Sequence, residues 1–316
     1  MTISDAGATR EIETVTIVGL GALGTLFGQL LSRTMTKQNL RVLADPARIA
    51  RYRRDGVTSN GEFCDFQYVS TEDSAPAADL ILVAVKAMQL QEAIRIMRGH
   101  VGPETLIVSL LNGISSEAEI AAAYGRENVV DCVAFGMDAV KEGNRLTYHH
   151  TGRICIGTRN AGKPTPAVQK IARFFARTGC PYEVSEEMGK VMWGKFMLNV
   201  GVNQTVAVFG PDYGAIQPPG EQRDTMIAAM REVIALSVCE GVNLTQSDLQ
   251  FWLDVIKTLN PGGKPSMRQD VEACRPTEVA LFSGTVLDFA EKHGLEMPVN
   301  RMLFERIRAI EAAYAR

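Results

Sequence analysis

The 316-residue chain has no Cys-x-x-Cys pair, only 4 histidines and 2 tryptophans. No apolar run approaches the roughly 18 residues needed to cross a bilayer, and even Leu80 to Val85 ends at Lys86. The six cysteines, Cys64, Cys132, Cys155, Cys180, Cys239 and Cys274, are scattered and share no metal-type spacing with the histidines. That pattern excludes a disulfide framework and a structural zinc site, and implies reduced thiols in a cytoplasmic protein with no bound metal. His149 and His150 are adjacent, so in a strand they point to opposite faces and chelate poorly. A formal net charge of -3 offers no broad attraction to nucleic acid or an anionic membrane. Residues 1–11 carry Asp5 and Glu11 without an apolar core, which reads as a frayed tail and not as a secretory signal.

What is present, 46% hydrophobic and 22% charged residues, suffices for a soluble globular protein of two domains. Val15–Val18, Leu40–Leu43, Leu80–Val85, Leu106–Leu110 and Val129–Val133 read as strands, several apolar throughout as buried parallel strands are. Helical patterns lie between them at about 23–33, 47–55, 88–98 and 116–124. This alternation predicts an α/β fold, a Rossmann-type doubly wound parallel sheet. Asn144 to Gly157 resembles antiparallel strands around a turn, and a helix at 168–178 leads to a last strand near Tyr182–Val184. The domain boundary is expected close to Ser185, giving a dinucleotide-binding domain over 12–185 and an all-helical domain over 186–316. In the latter, Gly-Pro and Pro-Pro breaks separate helices at about 187–207, 221–240, 245–258, 266–273, 277–293 and from Arg301 onward.

Gly19-Leu20-Gly21-Ala22-Leu23-Gly24 follows the first strand and opens a helix. Its glycines permit a tight turn and close approach to a pyrophosphate, while the helix N-terminus offers amides to the anion. Asp45 ends the second strand, where a carboxylate accepts hydrogen bonds from a ribose 2′-hydroxyl and favours NAD(H) over NADP(H). Arg48 and Arg51 stand just beyond it and could hold a 2′-phosphate, and Asp45 could equally cap the next helix. Cofactor choice stays open on the residues alone. Lys86 and Asn112 leave later strands at their carboxyl ends, where such folds bind ligands; Lys86 would face phosphate or ribose, and Asn112 cofactor or substrate.

In the helical half, Lys195, Asn199 and Asn203 repeat at a spacing of four inside an apolar run that includes Trp193, Phe196, Met197 and Val200. Each such step advances only about 40° around a helix, so the three polar side chains share one narrow stripe. Leaving them buried without partners would cost about 1–3 kcal/mol per neutral group and more for the charge, so a polar ligand is expected against the stripe.

Taken together, these segments resemble the ketopantoate reductase (2-dehydropantoate 2-reductase) family from about Thr14 to Ile310. The resemblance runs through the glycine turn, Val85-Lys86-Ala-Met-Gln, Leu111-Asn112-Gly113, the Lys195-Asn199-Asn203 stripe, and above all Ser266-Met-Arg-Gln-Asp270 with Arg275-Pro-Thr-Glu278. It implies that Lys195 acts on the carbonyl of a 2-keto acid as general acid, that Glu278 binds a substrate hydroxyl, and that Ser266 binds the carboxylate. Asn112, Asn199 and Asn203 would complete the pocket, with Asn112 and Glu278 also within reach of the cofactor. The implied reaction is NAD(P)H-dependent reduction of 2-dehydropantoate to (R)-pantoate, on the route to pantothenate and coenzyme A. NADPH is the family's usual cofactor, and Asp45 departs from the basic residue often found there; Pro265, Cys274 and Ser283 are lesser departures. The chemistry agrees, since an ammonium can stabilise and then protonate the oxygen of a ketone receiving hydride. Alternatives are reduction of another branched 2-keto acid and a non-catalytic dinucleotide-sensing module. A homodimer through the helical domain is also expected.

Overall fold

The computed structural model describes residues 11–160 and 162–314. They form two compact units, one of residues up to Leu111 with Ser115–Met188, the other of Asn112–Ile114 with residues from Gly189 onward. The division falls just beyond Ser185, and the short Asn112–Ile114 segment belongs with the helical unit. The expected tail over 1–11 lies outside the described residues except for Glu11, which pairs with Arg173 at 3.1 Å.

In the first unit the strands are β1 (Val15–Val18), β2 (Leu40–Ala44), β3 (Thr58–Ser59), β4 (Glu62–Phe63), β5 (Gln67–Ser70), β6 (Leu80–Val83), β7 (Leu106–Ser109), β8 (Val129–Met137), β9 (Val140–Glu142), β10 (Arg145–Thr147), β11 (Thr151–Gly157) and β12 (Tyr182–Ser185). Eight form one sheet in the order β12-β11-β8-β7-β6-β1-β2-β5. It is parallel from β5 to β8, with β11 antiparallel to β8 and β12 parallel to β11. Every residue of β1, β6 and β7 is buried, as expected of strands covered on both faces. Helices α1 (Ala22–Ser32), α2 (Pro46–Asp55), α3 (Leu90–Ile96), α4 (Ser116–Tyr124) and α5 (Pro166–Thr178) supply the cover. Leu26, Phe27, Phe174 and Phe175 pack with Val15 and Ile17 on one face, and Leu90, Ala93 and Ile120 with Val18 and Val83 on the other. Strand order reverses between β1 and β6, the switch point at which such sheets bind ligands.

The pattern over 144–157 requires correction, because its two strands do not pair with each other. β10 pairs with β9 across the Gly143–Asn144 turn and with β3, in a separate 4-stranded sheet. The connection to β11 is pinned by Asp138, whose Oδ1 accepts from the amides of His149 and His150, each at 2.8 Å.

The second unit consists of α6 (Met188–Phe209), α7 (Glu221–Cys239), α8 (Gln246–Thr258), α9 (Ser266–Glu272), a π turn (Ala280–Gly284), α10 (Thr285–His293) and α11 (Pro298–Ala312). Gly201 lets α6 and α7 approach, since a Cβ there would stand 2.5 Å from Met230 Cγ. Trp193 packs edge-on against Phe196 at 5.9 Å. Two helix bounds differ from expectation. The helix expected over 277–293 starts only with the π turn at Ala280 and becomes α at Thr285, and the last begins at Pro298, because proline at the first helical position has no donor to lose.

Candidate functional site

At the switch point, β1 ends and the chain turns through Gly19 at φ +96. A Cβ at Gly19 would stand 2.7 Å from Val85 Cγ1, and one at Gly24 only 2.0 Å from the Gly19 carbonyl oxygen. The turn therefore tolerates only glycine at these positions, and its backbone stays open to a ligand. Gly21 precedes α1 with no side-chain cap, and the first turn of α1 carries no acidic residue. Uncapped amides with an unopposed helix dipole fit a pyrophosphate, so the chain can hold a dinucleotide here through Gly19, Leu20, Gly21, Ala22, Leu23 and Gly24. Beside the turn lies a small cavity of about 50 Å³ lined by Gly19, Leu20, Arg48, Tyr52, Val85 and Gln89, among others. Lys86 is exposed and leads into the short turn after β6.

Asp45 caps α2, its Oδ1 accepting from the Arg48 amide at 2.8 Å while Oδ2 lies 3.4 Å from Arg48 Nε. The carboxylate thus occupies the end of β2 with one oxygen committed to the helix and the other beside a guanidinium.

In the second unit the stripe on α6 joins two hydrogen-bonded chains. Lys195 Nζ donates to Asn112 Oδ1 at 3.4 Å, and Asn112 Nδ2 donates to Glu278 Oε2 at 3.3 Å. Gly113 permits this approach, since at φ +91 a Cβ would stand 2.7 Å from Leu281 Cδ1. Further along α6, Asn203 Nδ2 donates to Asn199 Oδ1 at 3.3 Å. Asn203 Oδ1 in turn accepts from Ser266 Oγ and from the Met267 amide, both at 3.2 Å, and so caps the start of α9. Asn203 is buried and holds its neighbours, whereas Lys195, Asn199 and Glu278 are half-buried and Ser266 is exposed. An ammonium, a carboxylate, three amides and a hydroxyl thus stand on two hydrogen-bonded chains of side chains that share α6.

Other polar groups lie outside the motifs legible in the sequence. Gln204, Ser283 and Asn300 are completely buried and hydrogen-bonded to one another. The polar stripe pointed to α6, but Gln204 lies on the adjacent stripe with Phe196 and Val200, which reads as core. Lys141 on β9 donates to Thr25 Oγ1 at 2.7 Å, and burial pushes its ammonium down to about 8. Glu117, in the first turn of α4, is pushed up to about 7, chiefly by burial. Neither lies in a recognisable motif, because each depends on what the fold packs over it.

The family description "Ketopantoate reductase PanE/ApbA" matches residues 15–161, and its C-terminal counterpart matches 187–311. A 2-dehydropantoate 2-reductase of Halobacterium salinarum is 28% identical over 306 residues, covering 93% of this chain and 97% of that protein. Among solved structures, D-mandelate dehydrogenase with NADH and anilino(oxo)acetate superposes with a TM-score of 0.83 at 20% identity, covering 96% of this chain and 100% of that one. A dimeric ketopantoate reductase from Staphylococcus aureus gives 0.76 at 20% identity, covering 95% and 99%. With both parts of the family pattern in sequence, and a glycine turn at the switch point of a doubly wound sheet, the chain belongs to the ketopantoate reductase family and is an oxidoreductase.

Proposed function

We propose that the protein reduces 2-dehydropantoate to (R)-pantoate, feeding pantothenate and coenzyme A synthesis. The observation that carries this reading is the Lys195–Asn112–Glu278 chain, which joins a proton donor to a hydroxyl acceptor through one amide. A reduced nicotinamide bound at the glycine turn supplies the hydride. Lys195 Nζ faces the substrate carbonyl oxygen, stabilises the charge growing there, and gives it the proton that completes the alcohol. Asn112 holds the ammonium from one side. Glu278 accepts from the substrate hydroxyl, while Asn199 Nδ2 donates to the substrate carboxylate, which a second carboxylate would repel, and Ser266 joins it by turning its one hydroxyl proton from Asn203 Oδ1 to that carboxylate. Asn203 serves by fixing Asn199 and α9.

For the cofactor, Asp45 keeps its negative charge at the end of β2, because turning away would forfeit a helix cap of about 1 kcal/mol. Arg48 offsets that charge in part, so both reduced cofactors are used, with NADH favoured modestly. Lys86 faces the cofactor's phosphate or ribose. A homodimer through the helical unit completes the proposal, in line with the dimeric relative and with exposed Val238 and Phe251. Assay of the purified protein with 2-dehydropantoate and each reduced cofactor tests the activity; absence of turnover with both would refute it. The likeness to D-mandelate dehydrogenase supports a second reading, reduction of an aryl 2-keto acid, which predicts faster turnover of benzoylformate than of 2-dehydropantoate.

A further inference from the structure

Glu278 stands just before the π turn, where the backbone ladder changes register. The Phe282 amide donates to the Glu278 carbonyl at 3.1 Å, with α spacing, whereas those of Gly284 and Thr285 reach one residue further, to Val279 and Ala280. Between them, the Ser283 amide donates to Gln204 Oε1 at 3.2 Å. The Gln204 amide has only one workable orientation: its Nε2 donates to the Val200 carbonyl at 2.8 Å and to Asn300 Oδ1 at 3.4 Å, so Oε1 must face Ser283. Asn300 is fixed in turn by donation from Nδ2 to Glu232 Oε2 at 2.7 Å and to the Ala229 carbonyl at 3.3 Å, with Ser283 Oγ on its Oδ1 at 3.0 Å.

We infer that Gln204 is the positioning residue that holds Glu278 in register with Lys195, and thereby sets the preference of the site for 2-keto acids bearing a hydroxyl. This rests on the reading of Glu278 as the acceptor of that hydroxyl. A hydrocarbon at position 204 would leave the Ser283 amide buried without its acceptor, at about 1–3 kcal/mol. The turn relieves that by returning to α spacing. Removing the extra residue rotates the segment before the turn by about 100° relative to the segment after it. Glu278 lies in the segment before it, and Leu281 within the turn packs on Gly113, beside Asn112.

The test compares 2-dehydropantoate with trimethylpyruvate, the same keto acid lacking only the hydroxyl, in Gln204→Met, Ser283→Ala and Glu278→Gln proteins. Gln204→Met is expected to lower kcat/KM for 2-dehydropantoate about tenfold, mainly through KM, and that for trimethylpyruvate by no more than about twofold. Ser283→Ala keeps the backbone donor and should leave the ratio of the two substrates as in the parent. Equal losses on both substrates in Gln204→Met would overturn the inference; if that variant does not fold, Gln204→Asn, which withdraws the acceptor while keeping an amide, decides in the same way. Glu278→Gln separates the two layers. If it leaves the substrate ratio unchanged, the reading of Glu278 fails and Gln204 with it; if it collapses the ratio while the Gln204 variants do not, only the role of Gln204 fails.

Discussion

The candidate ligand surface of the first unit is made of backbone, and that of the second of side chains. At the glycine turn the candidate groups are backbone amides left without a side-chain cap, where a Gly24 Cβ would stand 2.0 Å from a carbonyl oxygen. Along α6 the groups are an ammonium, amides and a carboxylate from distant segments, held by mutual hydrogen bonds. A backbone site is damaged by adding atoms and a side-chain site by removing them, so the two should fail in separable ways.

The largest effect is expected at Lys195. Lys195→Ala should cut kcat by on the order of a hundredfold or more while leaving the cofactor Kd unchanged, because proton donation and charge stabilisation act on the transition state. A mutant as fast as the parent in stopped-flow oxidation of reduced nicotinamide would remove Lys195 from the chemistry, and would favour a dinucleotide-sensing module. Gly24→Ala is the converse. Opening the turn should weaken cofactor binding by about tenfold or more, measured by calorimetry, with substrate saturation little altered. An unchanged cofactor Kd would mean that the turn is not the pyrophosphate site.

The same contrast explains what the sequence makes legible. A backbone site requires consecutive glycines after a strand, so Gly19 to Gly24 is readable as a string, and continuous apolar strands with helices between them indicate the doubly wound sheet. Lys195, Asn199 and Asn203 are readable because helical periodicity brings them onto one face. Gln204 is not, since its place among Phe196 and Val200 reads as core until the π turn supplies a donor for it. Nor is the register change after Glu278, because nothing in Ala280–Gly284 forbids an ordinary helix. The short strands β3, β4 and β5 escape for another reason: strands so brief carry too little alternation to stand out from loops. Asp45 is legible as a residue of consequence, but cap and ribose contact predict the same carboxylate at the same position.

The carboxyls extend the comparison to pH. Glu278 is half-buried and bonded to an amide, whereas Glu117 in the first unit is closed off, with Ser116 Oγ donating to it at 3.1 Å. Burial, and Asp131 nearby, lift Glu117 to about 7, against Arg159, which lowers it. Its folded value exceeds its unfolded value of 4.5, so between the two the native state keeps a proton that the unfolded chain releases. Stability from this group is therefore present below pH 4.5 and is lost as pH rises to 7. Glu117→Gln should raise stability at pH 8 by on the order of 1–3 kcal/mol and flatten that slope in denaturant titrations. A variant less stable than the parent at pH 8 would show that the ionised carboxylate is held by its surroundings.

The smallest expected effect falls at Asp45, where the backbone site of the first unit depends on one side chain. Asp45→Ala removes both the charge at the end of β2 and the cap on the Arg48 amide, so an altered cofactor ratio alone would not separate them. Asp45→Ser does, because a serine hydroxyl still accepts from that amide while carrying no charge. Both variants should shift the ratio of kcat/KM for NADH over NADPH toward NADPH by a few-fold, since the 2′-phosphate no longer meets a carboxylate and Arg48 is released to it. Only Asp45→Ala should lose about 1 kcal/mol of stability. A shift in the alanine variant that the serine variant does not share would assign the effect to the helix start, making Asp45 a cap whose charge the cofactor does not feel.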